Sequence, residues 1–323
     1  MGGGRVDFAE LSSRVAARQT ATHVEEVFTQ RELHEKMQPH RMTHRECIAS
    51  DDHLDPLPIA FVLDTTGSMN HVPQKLARQD LLRLLNRLTE MASTGKSTPQ
   101  ICYCGVADTQ DETPFQVGQF ETDNRMDGWL TKIHVGGGAG PERMHEAYNL
   151  ALYFLARKTT CDVWKKGGRG IAFITGDEFC PATHSRNVVA KVFGDELVDD
   201  LSTADLLKEV RDKWNLFFLY VKTGSYPGYE ERIFQAWQTL LGPNAIRLDA
   251  DATALPEVVS ALVGITQGVY QAEDVPQDLR ELGCDEQIVA ATAKALNVGP
   301  GNTGKDEETA NERRSQRRGP TKL

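Results

Sequence analysis

The 323-residue sequence predicts an α/β fold: a doubly wound, mostly parallel central sheet flanked by helices, with helical extensions at both ends. Two observations predict it. Four short apolar runs recur between residues 59 and 221, each closed by turn or charged residues, which is how a strand buried on both faces reads. Between them lie segments with apolar residues at helical spacing, and the alternation of strand and helix implies parallel strands joined by right-handed crossovers.

In chain order, residues 1–55 are polar and helix-prone, with Leu11, Val15, Val24, Val27 and Phe28 forming a thin apolar stripe. A helical arm packed on the main domain, or a segment for a partner, is expected there. The main domain then covers 56–270, with strands at 59–63, 101–107, 171–174 and 216–221. In its first connecting helix Ala77, Leu81, Leu84, Leu85 and Leu88 share a face; in the second Met144, Ala147, Tyr148, Ala151, Leu152 and Leu155 do. Residues 114–120 add an antiparallel edge strand and 245–248 a last short one, while helices at about 228–241 and 253–270 close the domain. Residues 271–298 form a helical appendage. The remainder, 299–323, is almost devoid of apolar residues and is expected to be disordered.

A net charge of −10 argues against general attraction to nucleic-acid phosphates or anionic lipid. Only the basic end, Arg313, Arg314, Arg317 and Arg318, offers a local nucleic-acid contact, and a solvated tail is the better reading of it. No apolar run approaches the ~20 residues that span a bilayer. The N-terminus lacks the apolar core of a secretory signal, and Val6 stands where a myristoylation signal has Ser or Thr. Six scattered cysteines without a Cys-x-x-Cys pair indicate neither a zinc site nor a disulfide framework. A reduced, cytoplasmic protein is expected.

In doubly wound sheets, ligands gather beyond the carboxyl ends of the strands. After the first run come Asp64, Thr66 and Ser68, with Gly67 letting the loop turn back. One carboxylate and two hydroxyls at alternating positions suit a small hard ion such as Mg²⁺. The bland alternative is a helix N-cap, yet a charge ending a fully apolar strand is costly without a partner. Asp108 follows the second run, and Asp177 and Glu178 follow the third. Between these lies GGGAGPE, residues 136–142, with Pro141 at a helix start and Glu142 in its first turn. Four loops thus bring acidic or hydroxyl groups to one edge.

The run IAFVLDTTGSM resembles the Asp-x-Ser/Thr-x-Ser motif of von Willebrand factor type A domains, whose metal-ion-dependent adhesion site holds Mg²⁺. GGGAGPE is similar to the glycine-rich second loop of that family, and IAFITGDE to the strand and acidic third loop of its bacterial-type members. The resemblance covers about residues 57–270 and implies a Rossmann-like fold. It implies Thr66 and Ser68 as direct ligands, Asp64 as a ligand directly or through water, and Asp177 as a third-loop ligand through water. Asp108, Glu142 and Glu178 would surround them. The chain departs from the pattern at Ala139, where relatives often carry Asp, and it has no evident second-loop Thr, so Glu142 or water fills that position.

Other signatures fail. Gly95-Lys96-Ser97-Thr98 lacks the earlier glycine of a phosphate-binding loop and follows a helix rather than a strand. Asp64-x-Thr66 has no acidic partner for phosphatase-type acid catalysis. His134, His145 and His184 lack zinc spacing. The expectation is a non-catalytic protein-interaction module whose Mg²⁺, with Mn²⁺ or Ca²⁺ as substitutes, receives an Asp or Glu of a partner. The alternatives are a Mg²⁺-dependent hydrolase or phosphatase, and a structural subunit with a vestigial metal site.

Overall fold

The computed structural model describes residues 4–40, 42–94, 97–137 and 144–299. Ten strands occur among them: β1 (Arg45–Cys47), β2 (Pro56–Asp64), β3 (Thr98–Val106), β4 (Phe115–Val117), β5 (Thr159–Cys161), β6 (Gly170–Gly176), β7 (Thr183–His184), β8 (Leu201–Ser202), β9 (Trp214–Val221) and β10 (Ala245–Leu248). The α-helices are α1 (Phe8–Gln19), α2 (His71–Lys75), α3 (Leu81–Thr94), α4 (Arg125–Leu130), α5 (Tyr148–Arg157), α6 (Arg186–Phe193), α7 (Thr203–Lys213), α8 (Glu230–Leu241), α9 (Leu255–Thr266), α10 (Val275–Glu281) and α11 (Glu286–Ala295).

Six strands form the central sheet in the order β10-β9-β6-β2-β3-β4, parallel except for β4, which runs against β3. The expected doubly wound α/β class is therefore the observed one. Every residue of β2 is buried, as a central parallel strand requires. Alternate residues feed two cores. Ile59, Phe61 and Leu63 join Ile171, Phe173, Phe217 and Leu219 on one face, which α1, α3, α4 and α9 cover. Ala60 and Val62 join Cys102, Cys104, Ile174 and Phe218 on the other, beneath α5, α6, α7 and α8.

Several elements differ from the sequence expectation. The N-terminal arm contains one α-helix, followed by short 3₁₀ turns and β1, which pairs with β5 through the register Cys47↔Cys161. Leu11 and Val15 of α1 lie in the same core as the sheet, and the guanidinium of Arg18 meets the buried carboxylate of Asp127 at 2.6 Å. This segment belongs to the helical layer; its thin stripe is thin because one narrow face suffices to cover α3. Met144 and Ala147 precede α5 instead of lying in it: Phe179 N–H bonds Met144 O, Ala147 N–H bonds Ala107 O, and a tight turn at Ala147, closed by Tyr148 N–H to Glu146 O, leads into the helix. The first connecting helix passes through a π-helical segment, Leu76–Asp80, which carries the buried Asp80. Past 270 the appendage is a helix pair, α10 and α11, packed on α9 through Val275, Leu279 and Val289. The tail expected to be disordered, except its first residue Gly299, lies outside the described residues.

A pH dependence follows from β7. His184 is 1% exposed, its ring rests near Tyr153 with centroids 5.8 Å apart, and Nε2 has no hydrogen-bond partner. Burial lowers its pKa from 6.5 to about 4, with Asp200 opposing and Arg157 adding to the shift. A histidine whose folded value is depressed contributes fully above 6.5, and that contribution is lost as pH falls from 6.5 towards 4. The loss approaches roughly 3 kcal/mol. Urea unfolding at pH 7, 6 and 5 should show wild type losing more stability than His184→Leu; parallel losses would refute the assignment.

Candidate functional site

The switch in winding direction falls between β2 and β6: the chain leaves β2 for β3 on one side and returns to add β6 on the other. In such sheets the loops at the carboxyl ends diverge there and leave a crevice. Asp64 ends β2 and Asp177 follows β6, so the two carboxylates border this crevice. Both are buried, at 0% and 3% exposure.

The first loop folds onto its own carboxylate. Thr66 donates to Asp64 Oδ1 through both its backbone N–H, at 3.0 Å, and its hydroxyl, at 2.6 Å, a local turn that short polar side chains favour. Asp64 Oδ2 accepts from the Tyr148 hydroxyl at 2.6 Å. Tyr148 is wholly buried and meets the stacked rings of Phe218 and Trp237 edge-on. A methyl group at Gly176 would overlap its hydroxyl, so glycine ends β6 to make room for it.

Ser68 spans the crevice, its hydroxyl donating to Asp177 Oδ1 at 3.3 Å. Thr223, just beyond β9, donates its hydroxyl to Asp177 Oδ2, and its oxygen lies 2.8 Å from that of Ser225. The glycine-rich segment lies against the first loop: Gly67 N–H donates to Gly137 O and Gly136 N–H to Thr65 O. Gly136 has φ +137°, a conformation that side chains with a Cβ rarely adopt. Ala139 and Glu142, the residues on which the second-loop ligand turned, lie outside the described residues.

The surrounding acids differ in role. Asp108 folds onto its own turn, accepting from Gln110 N–H at 2.8 Å and from the Thr109 hydroxyl at 3.2 Å. Glu178 is 4% exposed, its Oε2 has no partner, and its backbone carbonyl accepts from Trp237 Nε1–H at 2.8 Å. Burial, with the charges of Asp177, Asp64 and Asp108, pushes its carboxyl up to about 8 despite a hydrogen bond from Tyr226. Asp64 is also raised, by burial and then by the charge of Asp177. Burial likewise raises Asp177, against the hydroxyls of Thr223, Ser68 and Ser225.

Asp64, Thr66, Ser68 and Asp177 are thus brought together, with Glu178 and Asp108 at the border. Thr223, Ser225 and Tyr148 were missed. The first two had a signal, because Thr-Gly-Ser follows the fourth apolar run just as Asp-Thr-Thr-Gly-Ser follows the first. Tyr148 was legible only as part of an apolar helix face.

Whether these residues suit a divalent ion is decided by their chemistry. Among the described residues no group of three or more His, Cys, Asp or Glu is placed to hold a metal, so a site here must rely on hydroxyl oxygens as well as two carboxylates. A hydroxyl bonded to an ionised carboxylate must be the donor. Thr66, Ser68 and Thr223 all have that arrangement. None of Asp64, Asp177, Glu146 or Glu178 forms an ion pair with a described basic residue. Among the described residues the crevice is therefore rich in hard oxygen donors and its carboxylates have no paired cation, which fits a small divalent ion.

No family model matches the chain, and no curated protein does. Among solved structures, it is similar to the pilus adhesin SpaC from Lactobacillus rhamnosus GG. The open conformation gives a TM-score of 0.44 at 12% identity, covering 72% of this chain and 31% of the adhesin. A second crystal form gives 0.42 at 13% identity over 70% of this chain and 31% of the adhesin. This chain therefore spans less than a third of the adhesin's length, and a likeness this remote bears on neither site nor function.

Proposed function

We propose that this chain is a non-catalytic interaction module of the von Willebrand A type, in which Asp64, Thr66, Ser68 and Asp177 hold Mg²⁺. The observation that supports this most is that two buried carboxylates border the crevice at the switch point, Asp64 accepting from Thr66 and Asp177 from Ser68, with these hydroxyls oriented as donors to them. Bound there, the ion supplies the missing positive charge and an exchangeable position for an Asp or Glu of a protein partner. Mn²⁺ would substitute readily; Ca²⁺ prefers more oxygen ligands at longer range. Free thiols throughout, with Cys47, Cys102, Cys104 and Cys161 buried, support a reducing, cytoplasmic setting. Among the described residues no helix is long and apolar enough to cross a membrane.

Calorimetric titration of the full chain with Mg²⁺ and with Mn²⁺ tests the site, alongside Asp64→Ala, with circular dichroism to confirm folding. Saturable binding by wild type and its loss in folded Asp64→Ala are expected. Absence of binding to folded wild type, or equal binding by the variant, would reject the metal site.

A further inference from the structure

Glu146 is a carboxylate that no element of the site described so far uses. It sits in the non-helical segment 144–147, between the glycine-rich connection and α5, where Tyr148 N–H closes a tight turn on its carbonyl. That segment is fastened on both sides. Ala147 N–H bonds the carbonyl of Ala107, the residue before Asp108, while Phe179 N–H, the residue after Glu178, bonds Met144 O at 3.1 Å. Two residues further on, Tyr148 holds Asp64. Glu146 is therefore wedged between the loops that carry Asp108, Asp64 and Glu178.

Its side chain is only 4% exposed, and Oε2 has no hydrogen-bond partner. The charges that act on it come from Asp64, Glu178, Asp108 and Asp111, all of the same sign. A buried carboxylate with an unsatisfied oxygen, acted on by other carboxylates, is costly unless something positive joins them. With four acidic neighbours and no ion pair to a described basic residue, a cation is the ligand that resolves both the unpaired oxygen and the repulsion.

We propose that Glu146 is the carboxylate that the second connection contributes to the divalent ion held by Asp64 and Asp177, acting through a bound water. This rests on the metal-site reading above. Such a role explains how a chain with Ala139 and no second-loop threonine still brings a donor from that connection: the donor stands nearer the start of α5 than the motif does.

The test uses Mn²⁺ on the full chain, read by calorimetry and by thermal unfolding with and without EDTA. Glu146→Gln keeps the shape and removes the charge. Its Mn²⁺ affinity is expected to fall 10–100-fold, the range typical of groups that position metal ligands from outside. In EDTA the variant should unfold at a temperature equal to or above that of wild type, because a buried repulsive carboxylate is gone. A merely structural Glu146 would instead lower stability in both conditions. Wild type binding Mn²⁺ with Glu146→Gln unchanged overturns this proposal and leaves the metal site standing; wild type failing to bind overturns both. Glu146→Asp, which keeps the charge one methylene short, supplies the comparison if the glutamine variant does not fold: intermediate affinity supports the proposal and wild-type affinity rejects it.

Discussion

Trp237→Ala is expected to destabilise the protein by about 3–5 kcal/mol, the usual cost of truncating a buried tryptophan. Trp237 is fully buried on α8, and its indole stacks on Phe218 of β9 with centroids 3.7 Å apart and planes 9° from parallel. Tyr148 meets both rings edge-on at 5.6 Å. Truncation would open a cavity beneath the crevice, leave the Glu178 carbonyl without its indole donor, and remove the wall that aims Tyr148 at Asp64. Equilibrium urea unfolding checks the magnitude. Trp237→Phe should keep the stacking and lose mainly the hydrogen bond, costing less; if both substitutions cost under about 1 kcal/mol, the ring cluster is not a supporting floor.

Glu257→Ala is expected to cost about 3–5 kcal/mol as well, through charge instead of volume. Glu257, in the first turn of α9, is 0% exposed, and its Oε1 lies 3.1 Å from Arg83 Nε and 3.2 Å from Arg87 Nε, both on α3. Arg87 also reaches Cys284 Sγ at 2.7 Å, and Arg83 reaches Asp80 Oδ1 at 3.1 Å. The carboxylate therefore joins α3, α9 and the turn before α11. Removing it leaves two neighbouring guanidinium groups without their shared anion. A double replacement, Glu257→Leu with Arg87→Met, should recover much of the loss, because an apolar pair avoids the desolvation of buried charges. Urea unfolding of single and double variants separates the two contributions, and a double variant no more stable than Glu257→Ala would contradict the charge argument.

The crevice was legible in part. Asp64, Thr66, Ser68 and Asp177 were recognisable because a polar residue directly after a fully apolar strand must lie at the sheet edge, and parallel strands put all such edges together. Thr223 stands one residue further on, after Lys222, and was readable by its place at the same sheet edge. Glu146 and Tyr148 were not readable, because the change from non-helical chain to helix falls between them, and helical spacing continues through Met144 and Ala147 without interruption. Hydrogen bonds from Ala147 N–H to Ala107 O and from Phe179 N–H to Met144 O fix this non-helical segment, and neither has a local sequence signature.

The sequence by itself determined the sheet. Continuous apolar runs bury on both faces, so they form the parallel centre; PFQVGQF places the antiparallel edge strand; and residues 245–248 close the other side, as β4 and β10 do. Tertiary structure alone decided that α1 joins the layer over α3, since a thin apolar stripe is compatible with either a free arm or a packed helix until Arg18 finds Asp127 across a separation of 109 residues. It also decided which acids face one another. Periodicity sets which side of an element a residue occupies, but the winding of the sheet sets which loops meet, and here it brought Glu146 in among Asp64, Asp108 and Glu178.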